Sequence, residues 1–192
     1  MIGSRASSIA AVAVFLVACA SPGYRGGARS IPRVEIEQEW TAVRSLPPRP
    51  QRSVNDCGAA AAASVLAYWG VRTSVGQIDR ALRAADGDGI RAGDLRDYLR
   101  QRGVRAYLVA GTIEDLVHEV ERGRPVIIGT LKRYGKRDAL KHYEVVVAVR
   151  DGGRMIASYD PAAGWRRYSR EDLLAEWKPT GQLALVVLPP AD

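Results

Sequence analysis

The apolar positions of this chain change period near residue 125. Before that point they recur at helical spacing; after it they fall in short Val- and Ile-rich blocks bounded by turn residues. Cys57 to Trp69 reads Cys-Gly-Ala-Ala-Ala-Ala-Ala-Ser-Val-Leu-Ala-Tyr-Trp, with Asn55-Asp56 ahead of it as capping residues and Gly70 behind it as a stop. Its alanine run combines high helix propensity with an apolar surface on every side, which predicts a central, closely packed helix. Ser74-Val75-Gly76-Gln77 fits a capping box, and Val75, Ile78 and Leu82 supply the stripe of a second helix. After Gly87-Asp88-Gly89, Leu95, Tyr98 and Leu99 mark a third helix ended by Gly103. Thr112 caps a fourth, which carries Leu116, Val117 and Val120 and ends at Gly123.

Val104 to Ala110 alternates as a strand between the third and fourth helices. Pro125–Leu131, His142–Val149, Arg154–Tyr159 and Leu183–Leu188 read as further strands. Asp151-Gly152-Gly153 is a hairpin signal joining two of them. Ser169-Arg170-Glu171-Asp172 opens a late short helix with Leu173, Leu174 and Trp177. Helices first and sheet second predict an α+β fold, with N-terminal helices packed on a C-terminal antiparallel sheet.

The N-terminus has a different pattern. A positively charged start is followed by the apolar run Ile9 to Ala18, about 15 Å of helix and half a bilayer core, so it is no spanning segment. Its layout is that of a secretory leader ending in small residues. Leu16-Val17-Ala18-Cys19 resembles the lipobox of bacterial lipoproteins, which implies cleavage before Cys19 and acylation of that residue. An ordinary cleaved leader with a chance cysteine is the alternative. Ser21 to Pro50 is rich in Pro and Gly and suits a tether, with one short alternating stretch, Val34 to Trp40, that reads as an edge strand. The expected organisation is a leader over 1–18, a lipidated linker over 19–50 and one domain over 51–192. The expected site is the cell envelope. Ala20 lacks the Asp that retains some lipoproteins at the inner membrane, which favours the outer one.

Composition narrows the functional classes. Apolar residues at 47% and charged residues at 26% are those of a globular chain, not a disordered or fibrous one. A net charge of +7 permits an anionic partner without naming it. Lys132, Arg133, Lys136, Arg137 and Lys141 cluster in the loop expected before His142, where they would either steer an acidic substrate or form a solvated loop. There is no zinc spacing, phosphate-binding Gly-Lys-Ser/Thr loop or nucleic-acid module, so no cofactor, metal, nucleic-acid partner, ATPase or transporter domain is expected. Acylation of Cys19 would leave Cys57 as a lone thiol in an envelope compartment, which needs a task or deep burial.

Cys57 stands at the first turn of the central helix, where unpaired amides and the helix dipole favour a thiolate, the nucleophilic form. A small buried residue in an alanine helix would also suit that position taken singly. Gly58 removes a side chain where a substrate backbone would approach. Of the two histidines, His118 lies among acidic residues mid-helix, whereas His142 opens a strand. His142 is ten residues before Gly152 and Asp160 eight after it, so hairpin pairing brings them side by side, with Asp160 able to orient the imidazole. Gln51, six residues before Cys57, can offer an amide N–H to an oxyanion alongside the Cys57 backbone.

Gln51…Asp56-Cys57-Gly58-Ala59, then His142-Tyr143 opening an apolar strand, then Asp160-Pro161, resembles the papain-like peptidase domain of bacteriocin exporters. These are the double-glycine leader peptidases, cysteine peptidase family 39. The resemblance runs from about Gln51 to Leu188. It implies a papain-like fold, Cys57 as nucleophile, His142 as general base and acid, Asp160 as orienting carboxylate and Gln51 as oxyanion donor, acting on a peptide or protein substrate. Glu144 departs from it, standing on the His142 face at a place usually apolar, where it would either perturb the imidazole or reach solvent. Two alternatives stay open: an inactive peptidase-like peptide-binding lipoprotein, and a transamidating relative.

Overall fold

The protein is described by a computed structural model covering residues 23–83, 89–135 and 139–190. The leader, Cys19 and part of the basic cluster, Lys136 and Arg137, lie outside the described residues, as do Gly87 and Asp88 of the expected turn.

The helical half consists of α2 (Cys57–Tyr68), α3 (Val75–Leu82), α4 (Ala92–Gln101) and α5 (Ile113–Glu121), preceded by α1 (Arg33–Glu39) and followed late in the chain by α6 (Arg170–Trp177). Ser74 with Gln77, and Thr112 with Asp115, form reciprocal capping boxes at α3 and α5, and the Ser169 side chain caps α6. The alanine helix is the most deeply buried element: Ala59 to Ala63 have no exposed surface, which lets α2 lie flat against β5.

The strands are β1 (Arg29–Ser30), β2 (Thr41–Ala42), β3 (Val104–Ala110), β4 (Val126–Lys132), β5 (Leu140–Arg150), β6 (Met155–Asp160), β7 (Gly164–Ser169) and β8 (Leu183–Pro190). They form one eight-stranded sheet in the order β1-β7-β6-β5-β4-β8-β3, with β2 added beside the end of β5, and every pairing is antiparallel. α2 packs on the Tyr143 side of β5, whereas α6 brings Glu176 and Trp177 to the opposite side. Both faces are therefore covered, which is why β5 is buried from Val145 through Val149. β7, whose sequence Gly-Trp-Arg-Arg-Tyr-Ser carries no apolar block, is a strand the hydropathy pattern did not reveal. No described helix is long and apolar enough to cross a membrane.

Two expectations for the segment before the domain are corrected. The stretch expected as an edge strand is α1. Alternation at Val34 and Ile36 imitated a strand, but Ile36 is buried while Val34 is 55% exposed, and Pro32 fixes the turn into the helix. From Tyr24 onward the segment expected as a free tether is packed against the domain. Ala28, Ile31, Ile36, Trp40, Val43 and Leu46 join the core, and β1 and β2 join the sheet. Gly26 and Gly27 pass so close to Glu176 and Asp172 that a Cβ on either would fall within 2 Å of those side chains.

Candidate active site

The site is set by where β6 stops. The hairpin between β5 and β6 turns through residues 151–153, with Gly152 at φ 62° and Gly153 at φ 85°, both left-handed. A bulge between Val146 and Ala148 shifts the register, and the pairing Val145↔Tyr159 then brings Asp160 level with Glu144. His142 stands two residues past that level, beyond the end of β6. Into that corner comes the loop of residues 51–56, held there by the Gln51 amide donating to the Pro161 carbonyl at 3.0 Å. The loop delivers Cys57 at the start of α2.

His142 Nε2 lies 2.8 Å from Asp160 Oδ1, with the imidazole N–H donating to the carboxylate. The same Oδ1 accepts from the Ala162 amide at 2.8 Å and the Ala163 amide at 3.2 Å, which fixes its position in a tight turn. The Cys57 thiol stands close enough to the imidazole to act on its charge. Burial works to discharge His142, but the hydrogen bond to Asp160 and the negative charge of Asp160 and Cys57 outweigh it and hold the ring's pKa at about 10. Burial also works to protonate Asp160. The imidazole, the Lys132 ammonium and the Ala162 amide outweigh that and keep it below the ordinary carboxylate value.

Of the residues singled out in the sequence, Cys57, His142 and Asp160 come together. Gln51 is anchored by its backbone in the same corner, and its buried Oε1 has no hydrogen-bond partner among the described residues. Asp56 occupies the N-cap position of α2, but its carboxylate turns back to accept from the Arg52 and Ser53 amides at 3.1 Å. It shapes the approach to Cys57 instead of capping the helix. Gly58 serves packing: an added Cβ would meet the Tyr143 ring at 3.1–3.2 Å, and the Tyr143 hydroxyl donates to the Ile90 carbonyl at 3.1 Å.

Lys132 is a correction to the sequence reading. It is the last residue of β4, 2% exposed, and its ammonium pairs with Glu144 and, at 2.8 Å, with Glu176. It therefore does not steer substrate from a solvated loop. Glu144 has no exposed surface; it accepts from Ser158 Oγ at 2.5 Å and from the Tyr168 hydroxyl at 2.7 Å. The signal for this cluster was a carboxylate set into an apolar strand, which demands a buried cation. One donor atom each of His142, Glu144 and Asp160 lies within 4.8 Å of the others. That spacing could admit a cation, but all three groups are already engaged in the bonds described above.

An antiparallel sheet with a buried helix delivering a thiol to a sheet-borne imidazole is the architecture of papain-like peptidase domains. The chain belongs to the Peptidase C39 family, which it matches over residues 45–191. Its fold is similar to that of the peptidase domain of Streptococcus ComA, a bi-functional ABC transporter involved in quorum sensing, at TM-score 0.62 and 24% identity, covering 76% of this chain and 99% of that one. A double glycine motif protease from an AMS/PCAT transporter, solved in complex with the leader peptide, matches at TM-score 0.60 and 23% identity, covering 79% of this chain and 99% of that one. A C39-like peptidase from Bacillus anthracis matches at TM-score 0.66 and 16% identity, covering 80% of this chain and 100% of that one. Curated proteins give no match.

Proposed function

We propose that the protein is a thiol peptidase that cleaves peptide bonds through Cys57, His142 and Asp160, tethered to a membrane by acyl chains on Cys19. The observation that carries the reading is a single imidazole hydrogen-bonded to Asp160 at 2.8 Å with the Cys57 thiol beside it. With Nε2 committed to Asp160, Nδ1 is the ring atom that exchanges a proton with sulfur. Proton transfer gives a thiolate beside an imidazolium, and the sulfur attacks the scissile carbonyl to form a tetrahedral adduct. The oxyanion takes hydrogen bonds from the Cys57 amide and the Gln51 side-chain amide. Collapse of the adduct breaks the C–N bond, His142 protonates the leaving amine, and a thioester remains. Water, deprotonated by His142, then releases the acid product and restores the thiol. Asp160 keeps the ring oriented and its charged form stable throughout.

Family membership and the double-glycine protease fold of a similar structure support a peptide as substrate. The test is peptide cleavage at neutral pH by the full chain, with Cys57→Ala and His142→Ala as comparisons. Cleavage is expected to vanish in both, and undiminished cleavage by Cys57→Ala would end the proposal. For the anchor, Cys19→Ala should move the protein from the detergent phase to the aqueous phase on phase partitioning.

A further inference from the structure

Behind the His142–Asp160 pair lies a buried group of charges that the proposed chemistry does not use. Glu144, on β5, puts a carboxylate oxygen within 4.8 Å of both an Asp160 oxygen and a His142 nitrogen. Two buried carboxylates this close repel, and one of them would take up a proton unless a cation stood beside them. That cation is Lys132, which reaches from β4 to Glu144 and to Glu176 on α6. Burial disfavours its charge, but the surrounding carboxylates, Asp160 included, hold it firmly protonated. The Tyr168 hydroxyl accepts from Lys132 at 2.5 Å and donates to Glu144, and Tyr24 donates to Glu176, so the group is closed by hydrogen bonds on its far side. The remaining titratable neighbours of Asp160 are Tyr134, Tyr159 and His142 itself.

We infer that Lys132 and Glu144 are positioning residues, a compensated charge pair that sets the electrostatic potential at the imidazole and lets Asp160 stay ionised beside a second carboxylate. The inference rests on the reading of Cys57 and His142 as a proton-sharing pair. Removing the ammonium leaves Glu144 and Glu176 without their counter-charge and the potential at the site more negative, and a thiolate then forms less readily. Removing the Glu144 charge alone leaves Lys132 balanced by Glu176, with less negative potential at the site, and a thiolate forms more readily.

The experiment is the pH dependence of Cys57 alkylation by iodoacetamide in the full chain. Lys132→Met should move the midpoint of the rising limb up by about one pH unit, a roughly tenfold slower reaction at fixed pH on that limb. Glu144→Gln, which keeps oxygen and nitrogen atoms facing Ser158 and Tyr168, should move it down by a similar amount. The double variant should return it close to wild type. A purely structural role would lower the maximal rate or the melting temperature and leave the midpoints together, and midpoints that coincide would overturn the inference. If Lys132→Met does not fold, the downward shift of Glu144→Gln decides. Alkylation needs no substrate, so absence of peptide cleavage would count against the peptidase reading without touching this result.

Discussion

Asp160→Asn isolates the electrical part of the His142 contact. Asp160 Oδ1 serves three donors: His142 Nε2 and the amides of Ala162 and Ala163. Asparagine keeps an oxygen for the two amides, so the turn after β6 retains its hydrogen bonds, but the imidazolium loses its counter-charge. A hydrogen bond to a charged partner contributes ~1.5–3 kcal/mol against ~0.5–1.5 kcal/mol for a neutral one, a difference of about 1.25 kcal/mol between the centres of the two ranges. That corresponds to roughly one pH unit in the proton affinity of His142 and about a tenfold loss in kcat/KM. The pKa of His142 is held at about 10, so the alkaline limb of the pH–rate profile should move to lower pH. Cleavage kinetics across pH measure this directly. Asp160→Ala differs in kind, because it also leaves the Ala162 amide unpaired, at ~1–3 kcal/mol, the Ala163 amide keeping its bond to the Asp160 carbonyl at 3.2 Å, and its melting temperature should fall where that of Asp160→Asn does not. An Asp160→Asn enzyme with its alkaline limb in place and an undiminished rate would refute the assignment of Asp160 to the imidazole.

Further outcomes follow from the packing. Gly153 sits at φ +85°, and an added Cβ would come within 2.8 Å of Val117 and 2.9 Å of Ile113, so Gly153→Ala should cost about 2 kcal/mol or more in urea unfolding. Buried Ser64 accepts from the Arg49 amide at 3.0 Å and donates to the Ala60 carbonyl at 2.9 Å. Ser64→Ala should destabilise by about 1–3 kcal/mol, read as a lower urea midpoint, because it orphans that amide. The pKa of His142 is raised on folding from 6.5 to about 10, so its contribution to stability is complete below pH 6.5 and disappears as pH climbs through 10. Urea midpoints should therefore decline across that window in wild type, and His142→Ala should flatten the decline.

The parts of the fold legible in the sequence are those with local causes. Capping side chains sit next to the helices they start, and the Asp151-Gly152-Gly153 turn places His142 and Asp160 at neighbouring strand ends with no knowledge of the rest of the chain. What stayed hidden depends on partners far apart in sequence. Lys132 reads as solvated because it stands in a cluster of like charges; its partners are 12 and 44 residues further on. Asp56 reads as a helix cap because the competing amides of Arg52 and Ser53 bend back to it only once the loop of residues 51–56 is folded. β7 stays hidden because its stability comes from pairing with β6 and β1, not from apolar alternation. Val34 to Trp40 misled for the same reason: seven residues support either period, and contact with the domain chose the helix.

Among the described residues the chain holds the domain from Gly23, whose carbonyl accepts from the Gly135 amide, and from Tyr24, whose ring lies 5.7 Å from that of Tyr134 and 5.4 Å from the Lys132 ammonium. Only four residues stand between Cys19 and Tyr24, a reach of at most about 17 Å. If Cys19 carries acyl chains as proposed, a span that short would moor the body of the molecule against the lipid headgroups. Encounters would then be confined to a thin sheet of solvent at the bilayer face, where a peptide lying on the membrane is met by lateral drift, and one dissolved in the bulk must first descend to it.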